Sequence, residues 1–185
     1  MPMPMPTTPP FDAAAFADQL SPFLQKPFDY WLAKRGVRSM PARADIDPVE
    51  MRAWLPQTLL AEPLADGDFR FRLVGTDVRN RLGREMTGRR LSELPVPADQ
   101  LRILIAEYRS AVTGRAPTHH FHDHPKEHPG TPIRFGRLLL PLSADGETVD
   151  LLLGVRHDRL GDPQFQLPGS PQISLSRASR PQLSR

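Results

Sequence analysis

Two turn signals and the long helix between them limit what this chain can fold into. Asp66-Gly67-Asp68 and Ala144-Asp145-Gly146-Glu147 each separate two runs of strand character, and such turns close antiparallel hairpins. Ahead of the first turn, residues 58–64 read as a strand. Behind it, residues 69–74 alternate Phe69, Phe71 and Leu73 with Arg70 and Arg72, which is a strand with one buried face. Between the hairpins, residues 99–113 carry Leu101, Leu104, Ile105, Tyr108, Ala111 and Val112 at helical spacing, closed by Gly114. Short helical pieces precede that helix, one of them over residues 77–82 with Thr76 as its cap. Strands follow at 118–123, 133–142 and 149–155. This order predicts an α+β domain, a five-stranded antiparallel sheet with helices on one face.

An N-terminal helical flank precedes the sheet. Residues 11–20 suit a short helix, and Ser21-Pro22 reads as an N-cap followed by proline at the first helical position. Pro27 is expected to interrupt; residues 28–35 then put Phe28, Trp31 and Leu32 on one face before Gly36. That stripe needs a cover, either the domain's own body or a second copy of the chain, which would make a homodimer through Phe28, Trp31 and Leu32. Asp47-Pro48 begins a further expected helix that Pro56 ends.

Many of the 22 prolines gather in the Met1-Pro2-Met3-Pro4-Met5-Pro6 head and after residue 163. The division expected from this is a flexible or weakly helical segment at 1–24, the helical flank at 25–56, the sheet domain at 57–160 and a disordered tail at 161–185. The head lacks the basic start and apolar run of a signal peptide, and no stretch suits a bilayer, so a cytoplasmic protein is expected. There is no cysteine, which excludes disulfides, thiolate metal sites and a cysteinyl–flavin adduct. The sequence pI is about 9.8 while the net charge is only +3, because Lys26, Lys34 and Lys126 are the only lysines and arginine barely titrates. The tail accounts for most of that charge, so no concentrated basic face is available for nucleic acid.

Particular segments sharpen the fold. Arg43-Ala44-Asp45-Ile46-Asp47-Pro48, Leu55-Pro56 and Phe69-Arg70-Phe71-Arg72-Leu73-Val74-Gly75-Thr76 occur in that order, followed by Thr87-Gly88-Arg89, Leu91 and Leu94. Leu138-Leu139-Leu140-Pro141-Leu142-Ser143, Asp145-Gly146 and Val149 to Gly154 complete the series. Over about 28–156 the chain resembles a bacterial family of stand-alone PAS domains. The resemblance implies a sensory or protein-interaction module of bacterial signalling that acts on a regulatory protein partner, with no catalysis of its own. It names no cofactor.

A sheet curled around helices leaves an apolar interior that a small molecule can fill. Its expected lining is Phe71, Leu73, Leu104, Tyr108, Val112, Leu140 and Leu153. Outside the resemblance lies His119-His120-Phe121-His122-Asp123-His124, with Glu127 and His128 close behind. On a strand His120, His122 and His124 share a face, so a metal-binding protein built on this cluster is the alternative reading; a small enzyme acting on a cavity ligand is another. No histidine lies on the 99–113 helix to ligate haem. Asp45, Asp47 and Glu50 suit a helix start better than acid–base work, and neither a phosphate-binding glycine loop nor a nucleophile elbow is present.

Overall fold

The computed structural model describes residues 11–124 and 133–159. The proline-rich head, Glu127, His128 and the tail expected at 161–185 lie outside the described residues. Five strands, β1 (Thr58–Pro63), β2 (Phe69–Val74), β3 (Thr118–His124), β4 (Ile133–Leu142) and β5 (Leu151–Arg159), form one antiparallel sheet in the order β2-β1-β5-β4-β3. The two expected hairpins are present, with Gly67 and Gly146 at φ +80° where a side chain would strain the turn. β5 starts at Leu151 and not at Val149, because Asp150 turns its carboxylate back to accept the Ala144 N–H at 2.6 Å and closes the second hairpin.

The sheet has two covered faces. On one lie α3 (Thr76–Leu82) and the long α4 (Ala98–Gly114), the latter with Leu104, Tyr108 and Ala111 buried at helical spacing. The other is covered by the N-terminal flank, α1 (Ala13–Ala17) and α2 (Pro22–Arg35). Ser21 caps α2 by accepting the Leu24 N–H at 3.3 Å, with Pro22 behind it as its sequence indicates. Pro27, expected to break the helix, does not. It is buried within α2, between Leu24 on one side and Phe28 and Trp31 on the other. Burial of those side chains on the sheet outweighs the roughly 3 kcal/mol an interior proline costs.

Helix α2 meets β4 and β5 where β4 has least bulk. A Cβ on Gly136 would lie 3.1 Å from Leu24 Cδ1 and 2.9 Å from His119 Nε2, so glycine there lets the helix approach. Phe23 stacks on His157 of β5 at 4.4 Å between centroids, and Phe16 and Trp31 flank Phe28. Trp31 Nε1 donates to the Pro141 carbonyl oxygen at 2.8 Å. Phe28 and Trp31 are therefore not a free stripe. They are buried against the chain's own sheet, with Leu32 half-buried beside them, which corrects the expected dimer contact. The expected boundary between 24 and 25 likewise falls inside α2, with Leu20, Ser21 and Leu24 all buried. The helix expected after Asp47-Pro48 is instead a run of turns ending in a 3₁₀ turn at Leu55–Gln57, with Met51 and Trp54 buried from it.

Trp31→Ala is expected to cost about 3–5 kcal/mol in chemical denaturation, and Trp31→Phe about 1–2 kcal/mol through the lost hydrogen bond and area. A Trp31→Ala variant that keeps its stability but changes its sedimentation would restore the intermolecular contact.

Candidate functional site

Between α4 and the sheet lies a cavity in two adjoining parts that share wall residues. The inner part, of about 50 Å³, is lined by Leu59, Phe71, Val74, Val78, Leu91, Tyr108 and Val155. The outer part, of about 340 Å³, opens past Val96, Gln100, Ile103, Phe121 and Phe135. Leu82, Leu94, Leu104, Arg137 and Arg156 border both. A larger hollow, of about 520 Å³, lies outside this core among α3, Phe23 and the end of β5, where it is more open to solvent and is bordered by Gln57, Asp77, Asn80 and Arg81. The cavity under α4 is the better ligand site, because apolar walls with a few convergent polar groups are what hold a small molecule.

Of the seven expected lining residues, Phe71, Leu104 and Tyr108 border the cavity. Leu73, Val112, Leu140 and Leu153 do not. Leu140 and Leu153 face each other across β4 and β5, one pleat position away from the Leu139–Gly154 pair over which Leu59 lies, so they point to the α2 side. Leu73 is displaced by a bulge: Leu60 pairs Leu73 and Ala61 pairs Phe71, so the extra residue, Arg72, breaks the alternation and brings Val74 to the cavity in its place. Val112 packs half-buried at the core's margin, near the end of α4.

At the cavity's floor sits a charged cluster of which the sequence reading held only the histidines. Glu107 precedes Tyr108 on α4 and is 8% exposed. It accepts a hydrogen bond from Arg137 Nη1 at 2.8 Å, with His122 Nε2 at 3.2 Å and His120 Nδ1 at 3.8 Å. Burial acts to raise the Glu107 carboxyl; the His122 hydrogen bond and the charges of Arg137, His122 and His120 outweigh it and hold it below the usual glutamate range. His120 is pushed below the usual histidine range, mainly by burial, and its Nε2 is buried with no hydrogen-bond partner. His122 Nε2 also lies 3.2 Å from Arg137 Nη1. With a proton on that nitrogen it donates to Glu107; without one it accepts from Arg137.

Arg156 stands opposite Arg137 across the β4–β5 ladder. Its Nε donates to Asp158 at 2.8 Å, and its guanidinium lies 3.7 Å from the Phe135 ring centroid. Asp158 is shared with Arg81 of α3. Burial pushes Arg156 below the usual arginine value; Asp158 opposes that shift, and the Arg137 and Arg81 charges add to it.

The histidine run is split by the pleat. His120 and His122 turn to Glu107, whereas His119 lies over Gly136 on the α2 side. The side chain of His124 lies outside the described ones. Among the described residues no three metal-ligating side chains are arranged so that they could hold a metal ion. Arg137 Nη1 lies 2.8 Å from Glu107 and 3.2 Å from His122, and its positive charge opposes a cation at these groups. Glu107 was hidden in the sequence because a glutamate on a helix reads as solvent-facing; its only signal was its place beside Tyr108 on the apolar stripe.

The PAS domain family profile matches residues 20–157. No curated protein sequence matches the chain. Solved structures similar to it include a light-oxygen-voltage domain studied with a flavin analogue (14% identity, TM-score 0.46, 64% of this chain and 89% of that one). Another is a sensory box sensor histidine kinase from Vibrio cholerae (14%, TM-score 0.41, 61% and 92%). A third is the PAS domain of a protein from Colwellia psychrerythraea (17%, TM-score 0.40, 61% and 98%). At these identities nothing about ligand or partner passes from them to this chain.

Both depressed groups make the fold acid-sensitive. The neutral His120 contributes stability that is fully present above its unfolded pKa of about 6.5 and is lost as pH falls below it; Glu107 adds a second loss below about 4.3. The melting temperature is expected to fall between pH 7.5 and 5, and His120→Gln should flatten that limb while leaving the one below pH 4.5. An unchanged pH profile in His120→Gln would show that the histidine does not titrate against folding.

Proposed function

Because the chain belongs to the PAS domain family, we propose that it is a sensory module of bacterial signalling that passes the state of its cavity to a regulatory protein partner. The observation that carries this reading is the Glu107–Arg137 contact. It ties α4 to the sheet at a point that both borders the cavity and is polar, so a ligand there competes for the same groups that hold the helix. An apolar contact alone would give graded repacking, whereas a hydrogen-bonded ion pair is either made or broken, which suits a two-arrangement element.

The surface at the cavity mouth supports a protein partner. Ile103 of α4 is 54% exposed and Phe121 of β3 is 39% exposed, and both border the outer opening. A partner seated on these side chains would touch α4 and β3 at once, the two elements joined through Glu107. Catalysis has no part in this reading: Glu107, His120 and His122 are engaged with one another and with Arg137. Among the described residues no helix is long and apolar enough to cross a membrane, and we place the module in the cytoplasm. The sensory unit takes in α2 as well as the sheet, because Leu24, Phe28 and Trp31 complete the core.

Glu107→Gln tests the coupling by hydrogen exchange. The α4 amides are expected to lose protection by tenfold or more, about 1.4 kcal/mol, while the central strands β1 and β5 keep theirs. Equal loss in helix and sheet would mean that α4 is not a separable element, and the signalling reading would fail.

A further inference from the structure

We infer that the cavity under α4 binds a small organic monoanion, a carboxylate on an apolar body, with the carboxylate held between Arg137 and Arg156. This rests on the reading of the cavity as a ligand site, and adds the chemistry of the ligand.

The argument begins with two arginines placed side by side. Arg137 and Arg156 are partners in the β4–β5 register, and both border the same cavity. Their side chains are only 11% and 15% exposed. Like charges directly opposite each other on a sheet repel, and burial weakens the screening that would relieve them. Each has one carboxylate acceptor: Glu107 takes Arg137 Nη1, which His122 Nε2 also approaches at 3.2 Å, and Asp158 takes Arg156 Nε. Arg137 Nε and Nη2 and both terminal nitrogens of Arg156 have no acceptor among the described residues. Asp158 is divided further, since Arg81 also pairs with it. On the buried floor two guanidinium groups thus meet two carboxylates, one of them shared with the exposed Arg81, so the guanidinium N–H groups outnumber the acceptors they are given.

The geometry of Phe135 makes the excess usable. Arg156 lies over this ring at 3.7 Å and Arg137 lies 5.5 Å from its centroid. Stacking on a ring occupies the face of a guanidinium and leaves its N–H edges to point outward, the arrangement in which arginine recognises a carboxylate. Above that floor the walls are Leu82, Leu94 and Leu104. A volume of about 340 Å³ is at the small end for ligand pockets, and two adjacent guanidinium edges match a single carboxylate. Nucleotides are too large and carry too many charges, and the arginines repel a metal ion.

Titration calorimetry on the full chain tests this with phenylacetate, octanoate and 4-methylpentanoate as probes, beside the neutral phenylacetamide. At least one acid is expected to bind saturably at one per chain, with the amide about tenfold weaker or more. Arg156→Gln should weaken that acid by a similar factor, and Arg156→Lys should recover part of the loss. Arg156 is the position of choice because Arg137 also holds Glu107; a melting curve on each variant confirms that it is folded. If phenylacetamide binds as well as the acid and Arg156→Gln changes nothing, the cavity reading stands and the anion proposal falls. If neither acids nor amide bind, and toluene also fails to raise the melting temperature, the cavity reading falls with it. An acid whose binding survives both Arg156→Gln and a Leu104→Trp substitution that fills the cavity sits elsewhere, and that too overturns the proposal.

Discussion

A guanidinium under a helix is the constraint from which the rest of this structure is arranged. Arg137 comes from β4 onto the face that α4 covers, and no buried arginine is tolerated there without an acceptor. Glu107 supplies it, which fixes α4 both along its axis and in rotation, since the carboxylate must meet a single nitrogen at 2.8 Å. Such a pair adds little to stability over an apolar pair of the same size, because desolvation cancels most of the attraction. What it adds is position. With Glu107 held over β3 and β4, Leu104 and Tyr108 fall over the inner cavity, and the space left between them and the arginines is the cavity's outer part.

That space persists because the other side of the sheet is independently secured. Leu24, Phe28 and Trp31 bury the α2 face without any polar demand beyond the Trp31 bond to Pro141. The apolar burial that drives folding is therefore supplied largely from the α2 side and the sheet's own leucines, so α4 can remain over a partly hollow interior. A cavity that had to be closed for the chain to fold would be useless for binding; here the two tasks are divided between the two faces.

How much of this was legible follows from what kind of signal each feature leaves. The strands along the chain and the two hairpins were legible because turn chemistry is local: Asp66-Gly67 and Asp145-Gly146 say where the chain reverses whatever lies around them. The α4 stripe was legible because six apolar residues keep helical spacing. The cavity lining was only partly so. Alternation assigns Phe71 and Leu73 to one face, and a single bulge at Arg72 overturns it, which no residue type announces. Pro27 misled for the opposite reason, because its local cost is real but tertiary burial exceeds it. Arg137 and Arg156 were invisible as a pair, since their meeting depends on a register between two strands whose loop length says little about it. The histidines were conspicuous, yet their use was set by Glu107, which alone looked ordinary.

The same division of labour explains why ligand and partner would be linked. Occupying the outer cavity with an anion changes the charge that Arg137 meets, and so the strength with which it holds Glu107. Ile103 lies one turn before Glu107 on the same helix, exposed at the opening. A partner that grips Ile103 and Phe121 binds best to one setting of α4 relative to β3. If the anion favours one setting and the partner favours one, each alters the other's affinity by the same factor, since the coupling is a property of the helix and not of either ligand. Two settings that both ligands favour give cooperation; opposed preferences give release. Anion and partner thus act on one bond between one helix and one strand, and the sign of each effect follows from which side of that bond it touches.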